Sequence, residues 1–209
     1  MGTAVDLFHL GHQFRAVQVS TNGNGEAVYA LGSILIDASG NALDQAAMIK
    51  AAGKKSFTRP NDTTAYAAND LVANDTTAGS VAALAFTGAT LTGNGGTGII
   101  EHYMLAKGGA AAATIRAHFL KTNHAVTNGD NGAFTLTALD LDNYIGYHDV
   151  VLDSLTANGG GAMGVSQTPP LDYELSSGDT IYVLHEALVA FTPTAQSSYV
   201  GKPKFRRLG

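Results

Sequence analysis

In Thr114–Phe119 the apolar residues Ile115, Ala117 and Phe119 interleave with Thr114, Arg116 and His118. Successive side chains of an extended chain point to opposite faces, so this order places one row inward and one toward solvent. Phe134, Leu136 and Ala138 alternate with Thr135 and Thr137 in the same way, and further strands are predicted over Phe14–Val19, Val28–Ile36, Val81–Phe86, Ile99–Leu105 and Tyr144–Leu152. Ile181–Phe191 is nearly continuous in apolar residues, interrupted by His185 and Glu186, and reads as a central strand. Turn signals separate these runs: Asn22-Gly23, Ser39-Gly40-Asn41, Asn94-Gly95, Asn128-Gly129, Asn158-Gly159 and Ser177-Gly178. Only Leu43–Ala52 has helical spacing, with Asp44 near its start and Gly53 placed as a stop. The pattern predicts an all-β fold, an antiparallel β-sandwich or jelly roll with one short helix.

The two ends differ from the middle. Residues 1–13, and residues 192–209 with Pro193, Gly201 and Pro203, lack a strand period and read as extended arms on a single domain of residues 14–191. An arm of this kind can add as a strand to the exposed sheet edge of a neighbour. The hydrophobic share of 45% includes 33 alanines and no tryptophan, so each residue buries little area, the core is expected to be thin, and oligomerisation is the expected remedy. The absence of cysteine excludes disulfides, thiolate metal sites and thiol nucleophiles. No stretch approaches the ~18 apolar residues of a membrane helix, and no basic segment precedes a long apolar run, so a soluble chain without membrane contact, made in the cytoplasm, is expected.

Charge is unevenly placed. Lys202, Lys204, Arg206 and Arg207 put four of the twelve basic residues in the last eight positions, leaving an acidic body with a basic end. Such an end suits an acidic surface on a partner or neighbouring subunit; a body this acidic would repel phosphate, so nucleic acid is not the expected partner.

Several formal motifs fail on context. Gly93, Gly95 and Gly98 have dinucleotide-loop spacing, but the Ile99–Lys107 segment after them reads as a strand, leaving no helix N-terminus to hold a pyrophosphate. Asn128, Asp130 and Gly132 have the start of a calcium loop without its closing acid. His9 and His12 could share a helix face but lack further ligands. There is no G-x-S-x-G elbow. The expectation is a chain that is not an enzyme, with no catalytic, cofactor-binding or metal-binding residues.

The segment Ser56–Val72, S-F-T-R-P-N-D-T-T-A-Y-A-A-N-D-L-V, is locally coherent: Pro60 pushes Arg59 toward extended backbone, Asn61 and Asp62 can close an Asx turn, and Arg59 can tie the loop by pairing with Asp62 or Asp70. This segment resembles one found in virion proteins of tailed bacteriophages. The likeness continues, in order, through Gly95–Ile100, Ile115–Phe119, Asp130–Phe134 and Tyr144–Tyr147, about half the chain; it departs at His124–Thr127. The resemblance implies a structural protein of the head decoration or cement type on the capsid exterior, a homotrimer bound to the major capsid protein, with Arg59, Asp62, Tyr66, Lys202, Lys204, Arg206 and Arg207 as contact residues. The other reading is a tail-associated or host-recognition module whose Tyr66, Tyr103, Tyr144, Tyr147 and His148 bind surface glycans.

Overall fold

The computed structural model describes residues 6–9, 12–21, 27–31, 49–136, 142–155 and 160–208. Its contacts divide the chain into two compact units, Met1–Ala47 and Met48–Gly209. In the first unit, strands β1 (Asp6–His9), β2 (His12–Thr21) and β3 (Ala27–Leu31) form a three-stranded antiparallel sheet in chain order. The expected N-terminal arm is therefore, over Asp6–His9, a strand of a hairpin whose last pair is His9 opposite His12. Those two histidines do not share a helix face. The predicted strand at Val28 runs to Leu31; residues 32–36 lie outside the described residues.

The second unit carries β4 (Ile49–Ala51), β5 (Lys55–Thr58), β6 (Asp70–Val72), β7 (Leu84–Phe86), β8 (Gly96–Lys107), β9 (Ala113–Leu120), β10 (Tyr144–Ser154), β11 (Ala162–Val165), β12 (Leu171–Leu175), β13 (Ile181–Ala187) and β14 (Ser198–Arg207). They make one antiparallel sheet in the order β4-β14-β8-β11-β10-β9-β13-β6, with β12 also on β8, β5 on β14 and β7 on β13.

The sheet is curled into a half-barrel, and its interior contacts require this. β8 and β13 stand four places apart along the path, about 19 Å in a flat sheet at ~4.8 Å per strand. Yet the Tyr103 hydroxyl on β8 and His185 Nε2 on β13 share a 2.9 Å hydrogen bond. The concave face is filled from both walls: Ile100, Tyr103, Leu105, Tyr199 and Phe205 on one side meet Ile115, Ala117, Phe119, Val150, Leu152 and Val183 on the other. Tyr103 meets Phe119 edge-on at 5.6 Å between centroids, and Phe57 stacks on Tyr199 at 5.2 Å. Each of these large side chains contributes about 1.5–3 kcal/mol by leaving water. The expected period in β9 is present, with Ile115, Ala117 and Phe119 inside, although His118 on the other face is buried as well.

Four expectations change. No α-helix occurs among the described residues; the one helical turn is the 3-10 segment Ala78–Ser80. Within the predicted helix Leu43–Ala52, residues 43–48 lie outside the described residues, and Ile49–Ala51 is strand β4, paired with Lys204–Arg206. Open backbone groups on β14 give those three residues ladder partners, and this overrides the weak local helical spacing. The alternating Phe134–Ala138 is no strand over its described part; Phe134 instead stacks on His118 at 4.1 Å between centroids.

The fourth change is at the C-terminal end, where the segment read as an arm is, over Ser198–Arg207, strand β14, flanked by β8 on one side and by β5 and β4 on the other. The two residues that disguised it have positional reasons. A Cβ on Gly201 would overlap the Tyr103 hydroxyl and come 2.7 Å from its Cζ. Pro203 falls at the break between the β5 and β4 pairings, where a missing N–H is tolerated.

Candidate functional site

The Ser56–Val72 segment begins in β5, which pairs with β14, and ends in β6, which pairs with β13. Its anchor is Arg59, a full-length cation only 1% exposed. Nε donates to the Tyr66 hydroxyl at 3.0 Å, Nη1 to the Asp62 carbonyl, and Nη2 to Asp62 Oδ1 at 3.1 Å and Asp130 Oδ2 at 2.9 Å. Asp130 is also fully used: its Oδ1 accepts from the Tyr66 hydroxyl at 2.6 Å and from the Ala73 N–H at 2.7 Å. Burial opposes the Arg59 charge, but its bonds to Tyr66, Asp62 and Asp130 outweigh that and hold the guanidinium above its ordinary pKa. Burial pushes the Asp130 carboxyl up, with Tyr66, the Ala73 N–H and Arg59 pulling the other way. The Tyr66 hydroxyl is raised by burial and by the Asp130 charge.

Backbone bonds complete the tie. Leu71 N–H donates to the Gly132 carbonyl, Asn131 N–H to the Leu71 carbonyl and Phe134 N–H to the Asn69 carbonyl, all at 2.7–2.9 Å. The Tyr66 ring stacks on Phe191 at 4.9 Å. On the solvent side Asp62 makes the expected Asx turn, its Oδ1 accepting from Thr64 N–H at 2.9 Å, which together with Arg59 lowers its pKa. Asn61, Thr63, Thr64 and Ala65 form an exposed crest.

The structure therefore pairs Arg59 with Asp62, one of the two expected partners, and not with Asp70, which accepts from the Ala67 N–H at 2.6 Å. Asp130, 71 positions away, is the partner that local sequence could not indicate. Its segment stands out in the sequence as the start of a calcium loop and as one of the phage-like stretches, and neither reading points to Arg59. Arg59 and Tyr66 are interior, so they can serve a partner only by stiffening the crest.

The basic residues of β14 are partly spent within the chain. Lys204 Nζ lies 2.8 Å from Glu101 Oε2, and Arg206 Nε lies 3.2 Å from Glu101 Oε1, in ion-pair range without hydrogen-bond alignment. Lys204 and Arg206 together hold the Glu101 carboxyl below its usual pKa. Arg207 donates to the Thr90 carbonyl, and Lys202 is exposed with no ion-pair partner among the described residues.

Of the residues considered for glycans, Tyr66, Tyr103 and His148 are buried, and the 40%-exposed Tyr147 is covered on one face by Arg116, whose Cζ sits 3.8 Å from the ring centroid. Arg116 also makes a bidentate pair with Asp149, at 2.7 and 2.9 Å. Next to it His118 bridges Glu186 and the Tyr144 hydroxyl, each at 2.9 Å; burial lowers its pKa and Glu186 works against that. A separate cavity of about 310 Å³, lined by Lys121, Asp142, Asn143, Glu174, Ser176 and Ser177 among others, has no aromatic wall.

Elsewhere, Ser166 Oγ and His148 Nδ1 are 3.0 Å apart inside the fold, but among the described residues no carboxylate is hydrogen-bonded to His148 to orient it as a base. After Gly93 and Gly95 comes strand β8, not a helix. Among the described residues no cluster of three or more metal-ligating side chains occurs, and no helix is long and apolar enough to cross a membrane. Compared with family models, with curated proteins and with solved structures, the chain finds no match in any of the three.

Proposed function

We propose that this chain is a phage virion structural protein of the decoration or cement type, bound to the outside of the major capsid shell, with the exposed crest of the Ser56–Val72 loop as a contact element. The observation that carries the reading is the meeting of Ser56–Val72 with Asp130–Phe134. These are two of the segments that resemble phage head proteins, and a buried ion pair and three backbone bonds tie them into one body. A crest fixed before binding loses little freedom on docking, so modest contacts repeated over many copies can hold a shell. The same reading takes the curled sheet as part of a sandwich or jelly roll and the assembled unit as a trimer.

With Lys204 and Arg206 already facing Glu101 and Arg207 donating to the Thr90 carbonyl, Lys202 is the exposed one of those four cations, open to an acidic partner. The test is co-sedimentation of the purified chain with empty shells of the major capsid protein from a phage whose genome encodes this sequence. Saturable binding that weakens when Thr63 and Thr64 are both replaced by Asp is the expected result. No binding at any salt concentration overturns the proposal.

A further inference from the structure

The convex face of the curled sheet carries an apolar strip across four neighbouring strands. Along β10 the outward positions include Val151 and Asp153, because Val150 and Leu152 point into the core. On β11 Met163 and Val165 face outward, on β8 Met104 and Ala106, and on β14 Val200 and Lys202. The registers align them in two rows. One runs Asp153, Met163, Ala106, Val200. Carrying the β10–β11 register two residues further sets Val151 beside Val165, so the second runs Val151, Val165, Met104, Lys202. Val151 is 58% exposed, Val165 39% and Met163 37%, and Leu155, at the end of β10, extends the patch at 50%.

The strip is thus apolar in the middle, acidic on its β10 side and basic on its β14 side. Neither Asp153 nor Lys202 has an ion-pair partner among the described residues. We infer that a second copy of this chain packs on this strip, face to face, about a twofold axis running along the strands between β11 and β8. That axis exchanges the two sides of the strip. Lys202 of each copy then lies over β10 of the other at the level of Val151, with Asp153 one pleat away, about 7 Å along the strand and within reach of a lysine side chain. A twofold axis across the strands would instead set Lys202 over the partner's β14, where the like charge is. The charge pattern therefore selects the first arrangement, in which the patch is self-complementary as an isologous contact must be.

This contact goes beyond the decoration reading and does not depend on it. A trimer of the expected kind would carry the strip three times and pair into a hexamer.

The experiment is sedimentation equilibrium of the full chain over a wide concentration range, on wild type and three variants. Wild type is expected to form an even-numbered species. Val165→Glu, at an outward position that leaves the core intact, is expected to raise the dissociation constant about 100-fold, because each twofold contact buries the unpaired charge twice. Lys202→Asp is expected to weaken association, and the swap Lys202→Asp with Asp153→Lys to restore it; circular dichroism confirms that each variant is folded. A monomer or purely odd-numbered species at every concentration overturns the inference, as it would if residues 1–47 or another protein covered the strip. Even-numbered assembly indifferent to Val165→Glu, or a charge swap that restores nothing, overturns it equally.

Discussion

Acid should unfold this protein through His185. Its ring is fully enclosed between Phe57 and Tyr103, at 5.6 and 5.8 Å between centroids, and burial, helped by nearby His118, pushes its pKa down from 6.5 to about 3. Such a base is neutral in the fold and takes up its proton on unfolding. Its contribution is complete above pH 6.5 and is lost progressively as pH falls toward 3. At 1.36 kcal/mol per pH unit, pH 5 lies 1.5 units into that window, so His185 alone removes about 2 kcal/mol between pH 7 and pH 5. This is a large part of a typical total stability of about 5–15 kcal/mol. The perturbation is His185→Gln, which keeps a polar partner for the Tyr103 hydroxyl but does not titrate. Urea unfolding at pH 7 and pH 5, followed by near-ultraviolet dichroism, reports on the right unit, because seven of the eight tyrosines lie beyond residue 47. With a urea slope of about 2 kcal/mol per molar, the wild-type midpoint should fall about 1 M further than that of the variant over this interval. Carboxylates titrate alike in both proteins and cancel. If the two midpoints fall in parallel, His185 is not protonated on unfolding and the reasoning is wrong.

Other substitutions test the same structure. Arg59→Ala leaves Asp130 buried without its cation and should lower stability by about 3–5 kcal/mol, seen as a large drop in melting temperature; a change under 1 kcal/mol would mean that the pair is not enclosed. Gly201→Ala should destabilise by about 1–3 kcal/mol through overpacking against Tyr103, and adding Tyr103→Phe should recover part of the loss, a coupling that a double-mutant cycle measures. Glu101→Gln removes a surface pair network and should cost about 1 kcal/mol or less in chemical denaturation. Ending the chain after Gly201 removes most of a strand hydrogen-bonded on both sides, so residues 48–201 should lose cooperative unfolding.

The all-β class was legible because strands with one wet and one dry face write their period into the sequence, as Ile115, Ala117 and Phe119 do. β14 was not legible, since its pattern is broken by Gly201 and Pro203, whose reasons are a tyrosine ring from another strand and a gap between two pairing partners. Phe134 was misplaced for the complementary reason. Its alternation is met by stacking on His118, outside any ladder. In the candidate site, the Asp62 bond to Arg59 was legible because it closes over three residues. Asp130 was not, because a contact spanning 71 positions leaves no local mark. The glycan reading drew on Tyr103 and His148 as polar aromatics, but the curl of the sheet turns both into its interior.

The proposed binding to the outside of a capsid is decided by imaging intact virions of a phage whose genome encodes this sequence, after labelling with gold-tagged antibody to the chain. Gold should be distributed over the head surface. Gold confined to the tail, or virions with none, would contradict it.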